Sequence, residues 1–195
     1  MNEFYLWFST GFSHILDWEG YDHILYVMLL SVMFTYKEWK KTLILITAFT
    51  IGHSLTLAAS VLHLLKVNQQ LIELLIPLTI IVTAISVFVK RNSFKKVVKL
   101  NYLLALFFGF IHGMGFSYLL KSMLGKEESI VFPLFAFNTG IEIGQLIIVC
   151  FMLLFSIFLI KFIKINNKYW VLFVVSIVLV IACKLFIDRF INFYL

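Results

Sequence analysis

The sequence predicts an all-α fold: a polytopic bundle of about six transmembrane helices, with residues 1–195 forming a single transmembrane domain. Three observations carry that expectation. Hydrophobic residues make up 62% of the 195, and charged residues only 13%. Mean hydropathy is +1.01. The few charges are clumped, and the apolar runs between them are long enough to cross a hydrocarbon core of roughly 30 Å. A soluble domain carries about a quarter charged residues to coat its surface. The alternating pattern of an outer-membrane barrel is missing, which argues against that class.

The spans read roughly as 23–36, 42–65, 71–89, 100–120, 130–160 and 170–187. The first is short unless it borrows a turn from its N-terminal flank. Residues 1–22 mix apolar Phe4, Tyr5, Leu6, Trp7 and Phe8 with Asp17, Glu19 and Asp22. This stretch fits either a short interfacial helix or a partly inserted first crossing. The fifth run exceeds one crossing, so it is expected to tilt or unwind around Pro133 or Gly140. Asn2 and Glu3 follow Met1 with no basic region, so a cleaved signal peptide is not expected.

Basic residues set the orientation. Lys37, Lys40 and Lys41, then Lys90, Arg91, Lys95, Lys96 and Lys99, then Lys161, Lys164 and Lys168 occupy alternate loops. The other loops hold Lys66, Lys121 and Lys126. Excess Lys and Arg marks cytoplasmic loops, so both termini are expected outside the cytoplasm. The net charge of +6 then meets anionic headgroups and needs no nucleic acid. Cys150 and Cys183 fall inside spans, form no CxxC motif, and read as small apolar side chains.

The informative residues are polar ones at membrane depth, where ionisable groups are costly and usually face a functional interior. His53 and His112 lie mid-span; Asn138, Glu142 and Gln145 follow the fifth span; Asp22 and His23 open the first; His14 precedes them. Spacings of four and three put Asn138, Glu142 and Gln145 on one helical face. Counting residues places His53, His112 and Glu142 roughly 12–18 Å below the outer surface, with Asp22 and His23 above them at the mouth. Imidazole with carboxylate is a ligand set for zinc, nickel, cobalt or iron. Asp22 can be a ligand or the carboxylate that fixes the tautomer of His23. Gly52, Gly109, Gly113 and Gly115 permit close helix approach beside the histidines. For any single buried histidine, a hydrogen bond between helices is the plain alternative. His63 reads as interfacial, and Glu73 as a solvated helix cap.

These residues also carry a resemblance. His14-Ile15-Leu16 followed by Gly20-Tyr21-Asp22-His23-Ile24-Leu25 resembles the opening histidine and Asp-His motif of HupE/UreJ-type membrane proteins. FTIGHSLTL (49–57), FGFIHGMGF (108–116) and FNTGIEIGQL (137–146) resemble that family's later motifs, in order. One departure stands out: Ile15 replaces a proline, and about two extra residues within Asp17-Trp18-Glu19 lengthen the spacing. The resemblance implies nickel or cobalt uptake by a secondary permease in a bacterial inner membrane, tied in some members to hydrogenase or urease maturation. His14, Asp22, His23, His53, His112 and Glu142 are then the expected metal residues, supported by Ser54, Asn138 and Gln145. No GxxxxGK[ST] motif for binding ATP is present, so the energy for uptake is expected from a gradient or a partner. An intramembrane metal-dependent hydrolase or lipid-modifying enzyme is the second class, with Glu142 as general base and Ser54 or Asn138 holding the substrate carbonyl. The third is a non-catalytic assembly partner. The lipid bilayer, the metal ion, and copies of the chain or other membrane subunits are the expected partners.

Overall fold

The computed structural model describes residues 2–18, 20–65, 68–89, 98–124 and 130–194. Lys66, Lys90, Arg91, Lys95, Lys96, Lys126 and Glu19 lie outside the described residues. Seven α-helices and no strand occur among those described: α1 (Glu3–Leu16), α2 (Asp22–Val32), α3 (Trp39–Val61), α4 (Gln69–Val89), α5 (Val98–Leu124), α6 (Val131–Ile157) and α7 (Asn167–Tyr194). Four helical stretches, Tyr36–Val61, Gln69–Val89, Val131–Phe162 and Asn167–Phe193, are long and apolar enough to cross a bilayer. The chain is a multi-pass membrane protein. Asp22–Val32 and Tyr102–Ser117 are shorter apolar helices.

Local chemistry sets the boundaries. The Asn2 side chain accepts from the Phe4 N–H at 3.2 Å and caps α1, with Glu3 in the first turn. Thr35 and Glu38 form a capping box in the 3₁₀ turn ahead of α3. Large side chains such as Phe107, Phe135, Phe151 and Val180 point outward, as surfaces facing acyl chains do.

Direction is legible from contacts. Phe4 packs on Phe132 with ring centroids 6.2 Å apart. Further along, Gly11 meets Phe137, and Ile15 meets Gly144, so α1 runs parallel to α6. Lys161 beyond the end of α6 lies over Tyr36 at the start of the α3 stretch, so α6 runs opposite to α3. Tyr26 packs on Phe49 and His23 on His53, so α2 also runs opposite to α3. Helices α1 and α2 therefore run in the same sense, one after the other, the first ending at Leu16 and the second beginning at Asp22. With 14 and 11 residues they span together about 37 Å.

Two helix pairs are pressed to backbone contact. A Cβ on Gly52 would strike the Leu106 carbonyl, one on Gly109 the Phe49 carbonyl, and one on Gly113 the His53 carbonyl. Gly11 and Gly140 play the same part between α1 and α6. Close approach through small residues is how membrane helices gain packing energy without a hydrophobic drive. Gly109→Val is accordingly expected to cost about 1–3 kcal/mol by forcing α3 and α5 apart. Thermal unfolding in detergent would read this, and an unchanged melting temperature would refute it.

The fifth apolar run does not unwind where the sequence suggests. Pro133 sits in the first turn of α6, where its missing N–H breaks no helical bond. Gly140 stays helical and admits the backbone of α1. The irregularity falls instead at a π-turn, Phe158–Phe162, that closes the helix. At that end Trp170 Nε1 donates to Ser156 Oγ at 2.8 Å, fastening α7 to α6.

Candidate metal centre

The interruption between α1 and α2 places its flanking residues inside the bundle. His14 is in the last turn of α1, and Asp22 and His23 are in the first turn of α2. His53 comes from α3 and His112 from α5, brought together by the glycine-mediated contact just described. Ring centroids of His14 and His23 are 4.5 Å apart; His53 lies 6.0 Å from each, and His112 lies 5.2 Å from His23. Residue counting set His23 above the others. It lies level with them because α1 supplies the upper part of the descent and α2 starts at depth.

One nitrogen from each of His14, His23 and His53 lies within 4.8 Å of the other two. Metal–nitrogen bonds of about 2.0–2.1 Å need ligand nitrogens about 3–3.4 Å apart, which modest side-chain rotation would give. His23, His53 and His112 are 5%, 0% and 1% exposed. Even so, His14 Nε2, both nitrogens of His23 and His53, and His112 Nε2 have no hydrogen-bond partner among the described residues. His23 Nδ1 does lie 2.9 Å from Asp22 Oδ1, so on that side the imidazole faces a carboxylate. Buried polar atoms are normally satisfied, and leaving one unpaired costs about 1–3 kcal/mol. Three imidazoles gathered at one spot, with His112 beside His23 but outside the three-histidine group, fit a divalent ion.

The surroundings support a cation. His112 Nδ1 is 2.9 Å from the Phe108 carbonyl, which turns Nε2 toward the cluster as a lone pair. The negative end of the α1 dipole points to the break, while Asp22 offsets the positive end of α2. The Asp22 carboxylate also accepts from the His23 backbone N–H at 2.7 Å.

The other expected residues sit elsewhere. Glu142 Oε1 accepts from Thr47 Oγ1 at 2.8 Å, and Gln145 Oε1 from Thr50 Oγ1 at 2.7 Å. Both join α6 to α3, and Glu142 is not in the three-histidine group. Ser54 Oγ donates to the Thr50 carbonyl at 2.7 Å. Asn138 Oδ1 is buried without a partner among the described residues. His63 is exposed just beyond α3, with φ of 60°. Cys150 and Cys183 are free.

Other residues of the site were not singled out in the sequence. Phe116 packs on His14 with centroids 4.0 Å apart and stacks on Phe137. A cavity of about 150 Å³ reaches His14, Asp22, His23 and His112 and also touches Glu73 and Arg189. A more open groove along α1, lined by Ser9, Thr10 and Ser13, reaches His14 as well. The linings of the two share His14 and Phe116. Nothing in a lone Phe or Arg marks such a role, since each depends on which helices become neighbours.

A family profile described as HupE / UreJ protein matches residues 1–189. The chain belongs to the HupE/UreJ family. That family is associated with nickel and cobalt, in keeping with the histidine cluster. The match takes in every helix that contributes to the HupE/UreJ histidine cluster. Among curated proteins and among solved structures, no match to the chain is found.

Proposed function

We propose that this HupE/UreJ protein binds a divalent transition-metal ion as cargo and moves it across the bacterial cytoplasmic membrane as a secondary permease. Nickel or cobalt is the preferred substrate, with zinc compatible with the same ligands. His14, His23 and His53 hold the ion, Asp22 balances its charge, and His112 offers a further nitrogen. In this reading α1 and α2 form the first of six crossings as one broken helix, α5 is the fourth, and both termini lie outside the cytoplasm. The observation that carries the proposal is the set of buried imidazole nitrogens without partners, gathered where α1 and α2 are interrupted. Broken helices at membrane depth hold substrates and ions in many transporters. Two cavities reach His14 and give an ion access to the site. The hydrolase reading gains less, because its general base, Glu142, is engaged with Thr47.

Proteoliposomes containing a trapped metal-sensitive dye test the reading. Wild-type vesicles are expected to fill with nickel or cobalt faster than vesicles carrying His23→Ala/His53→Ala. Equal rates in the two, at equal protein content, would defeat the permease assignment.

A further inference from the structure

Glu73 and Arg189 form an ion pair that ties α4 to α7, with side chains 37% and 38% exposed. Both line the cavity that reaches Asp22, His23 and His112. Gln69 Nε2 donates to Glu73 Oε1 at 3.2 Å and to the Gly115 carbonyl at 2.9 Å, joining α5 to the same arrangement. Three helices are thus linked around one mouth of the cavity. Pro77, one turn on, has no N–H, so the Glu73 carbonyl loses its helical donor beside the carboxylate.

The two charges pull opposite ways on a cation. A guanidinium stays charged throughout the accessible pH range and, unpaired, repels a divalent ion. A carboxylate in a narrow, low-dielectric mouth draws cations and speeds their arrival. Paired, they nearly cancel.

We propose that Arg189 is the guard of one entrance to the metal path: its ion pair with Glu73 masks the carboxylate at the mouth of the cavity that reaches Asp22, His23 and His112, and a divalent cation entering there displaces the guanidinium. The inference rests on the permease reading and adds an entry step to it. The pair is an electrostatic control, and its two halves have effects of opposite sign. A pair that only fastened α4 to α7 would give the same sign when either partner was removed.

Stopped-flow loading of the full-length protein in detergent with cobalt(II) chloride, followed through the visible absorption of imidazole-bound cobalt, separates these cases. Arg189→Gln is expected to load about 10-fold faster than wild type, with a steeper dependence on salt. Glu73→Gln, which leaves the guanidinium unpaired, is expected to load about 10-fold slower. Glu73→Gln/Arg189→Gln should fall between, and all three should reach the wild-type stoichiometry, showing an intact histidine site. Rates that change in the same direction in both single variants, or do not change, overturn the guard. Wild-type protein that takes up no cobalt at equilibrium instead defeats the metal reading itself, and the guard with it.

Discussion

His53→Leu is expected to make the metal-free protein more stable and at the same time to erase its stabilisation by metal. His53 is fully buried, and neither ring nitrogen has a partner among the described residues. Leucine fills similar space without polar atoms, so relief of the unsatisfied imidazole is worth about 1–3 kcal/mol. Wild type should gain about 2.7 kcal/mol from nickel at a hundred times its dissociation constant. The variant should lose that gain, because removing a ligand costs more than the about 10–100-fold that removing a supporting group costs. Melting curves with nickel and with chelator read both effects. A histidine kept for packing behaves oppositely: its loss lowers stability in chelator and leaves the nickel shift intact.

The opposite signs follow from what the fold does with its polar residues. Thr50, Ser54 and Ser156 satisfy themselves on carbonyls one turn back, and Glu142 and Gln145 find threonines on the neighbouring helix. His112 does the first with Nδ1, on the Phe108 carbonyl, but its Nε2 and both nitrogens of His53 find no partner among the described residues. Other buried polar atoms, among them Asn138 Oδ1 and Thr42 Oγ1, are also without partners, but among the described residues only the histidines gather several such atoms in one place.

Much of this was legible in the chain. Apolar runs against clumped charges reveal a helical membrane protein, because backbone groups in lipid must be satisfied within each segment. The histidines stood out for their cost at depth. Glycines beside His53 and His112 marked close helix approach, but that α3 and α5 are the pair that meets comes from the packing. The depth of His23 was not legible, since α1 reads as apolar residues followed by acids, and only its packing along α6 shows that it runs inward. Nor was the separation of Glu142 from the three-histidine group. Helical spacing puts Glu142 on the face shared with Gln145, but the facing residue, Thr47, is fixed by tertiary packing. Arg189 is separated from Glu73 by more than a hundred positions, and no local pattern joins them.

Asp22→Asn isolates charge from shape at the break. Asp22 Oδ1 lies 2.9 Å from His23 Nδ1 and accepts from the His23 backbone N–H. The carboxylate therefore has two separable duties, one toward the start of α2 and one toward the imidazole and its ion. Asparagine keeps an acceptor oxygen in place for the His23 N–H. It removes the negative charge that balances a divalent ion beside His23. Metal affinity is expected to fall about 10–100-fold, with little change in the melting temperature of the metal-free protein. Competition titration against a chromophoric chelator measures the first, and thermal unfolding the second. If Asp22 served only to start α2, asparagine would leave affinity at the wild-type value. Asp22→Ala removes both duties, so it should lose affinity and stability together, and the difference between the two variants gives the share that belongs to charge alone.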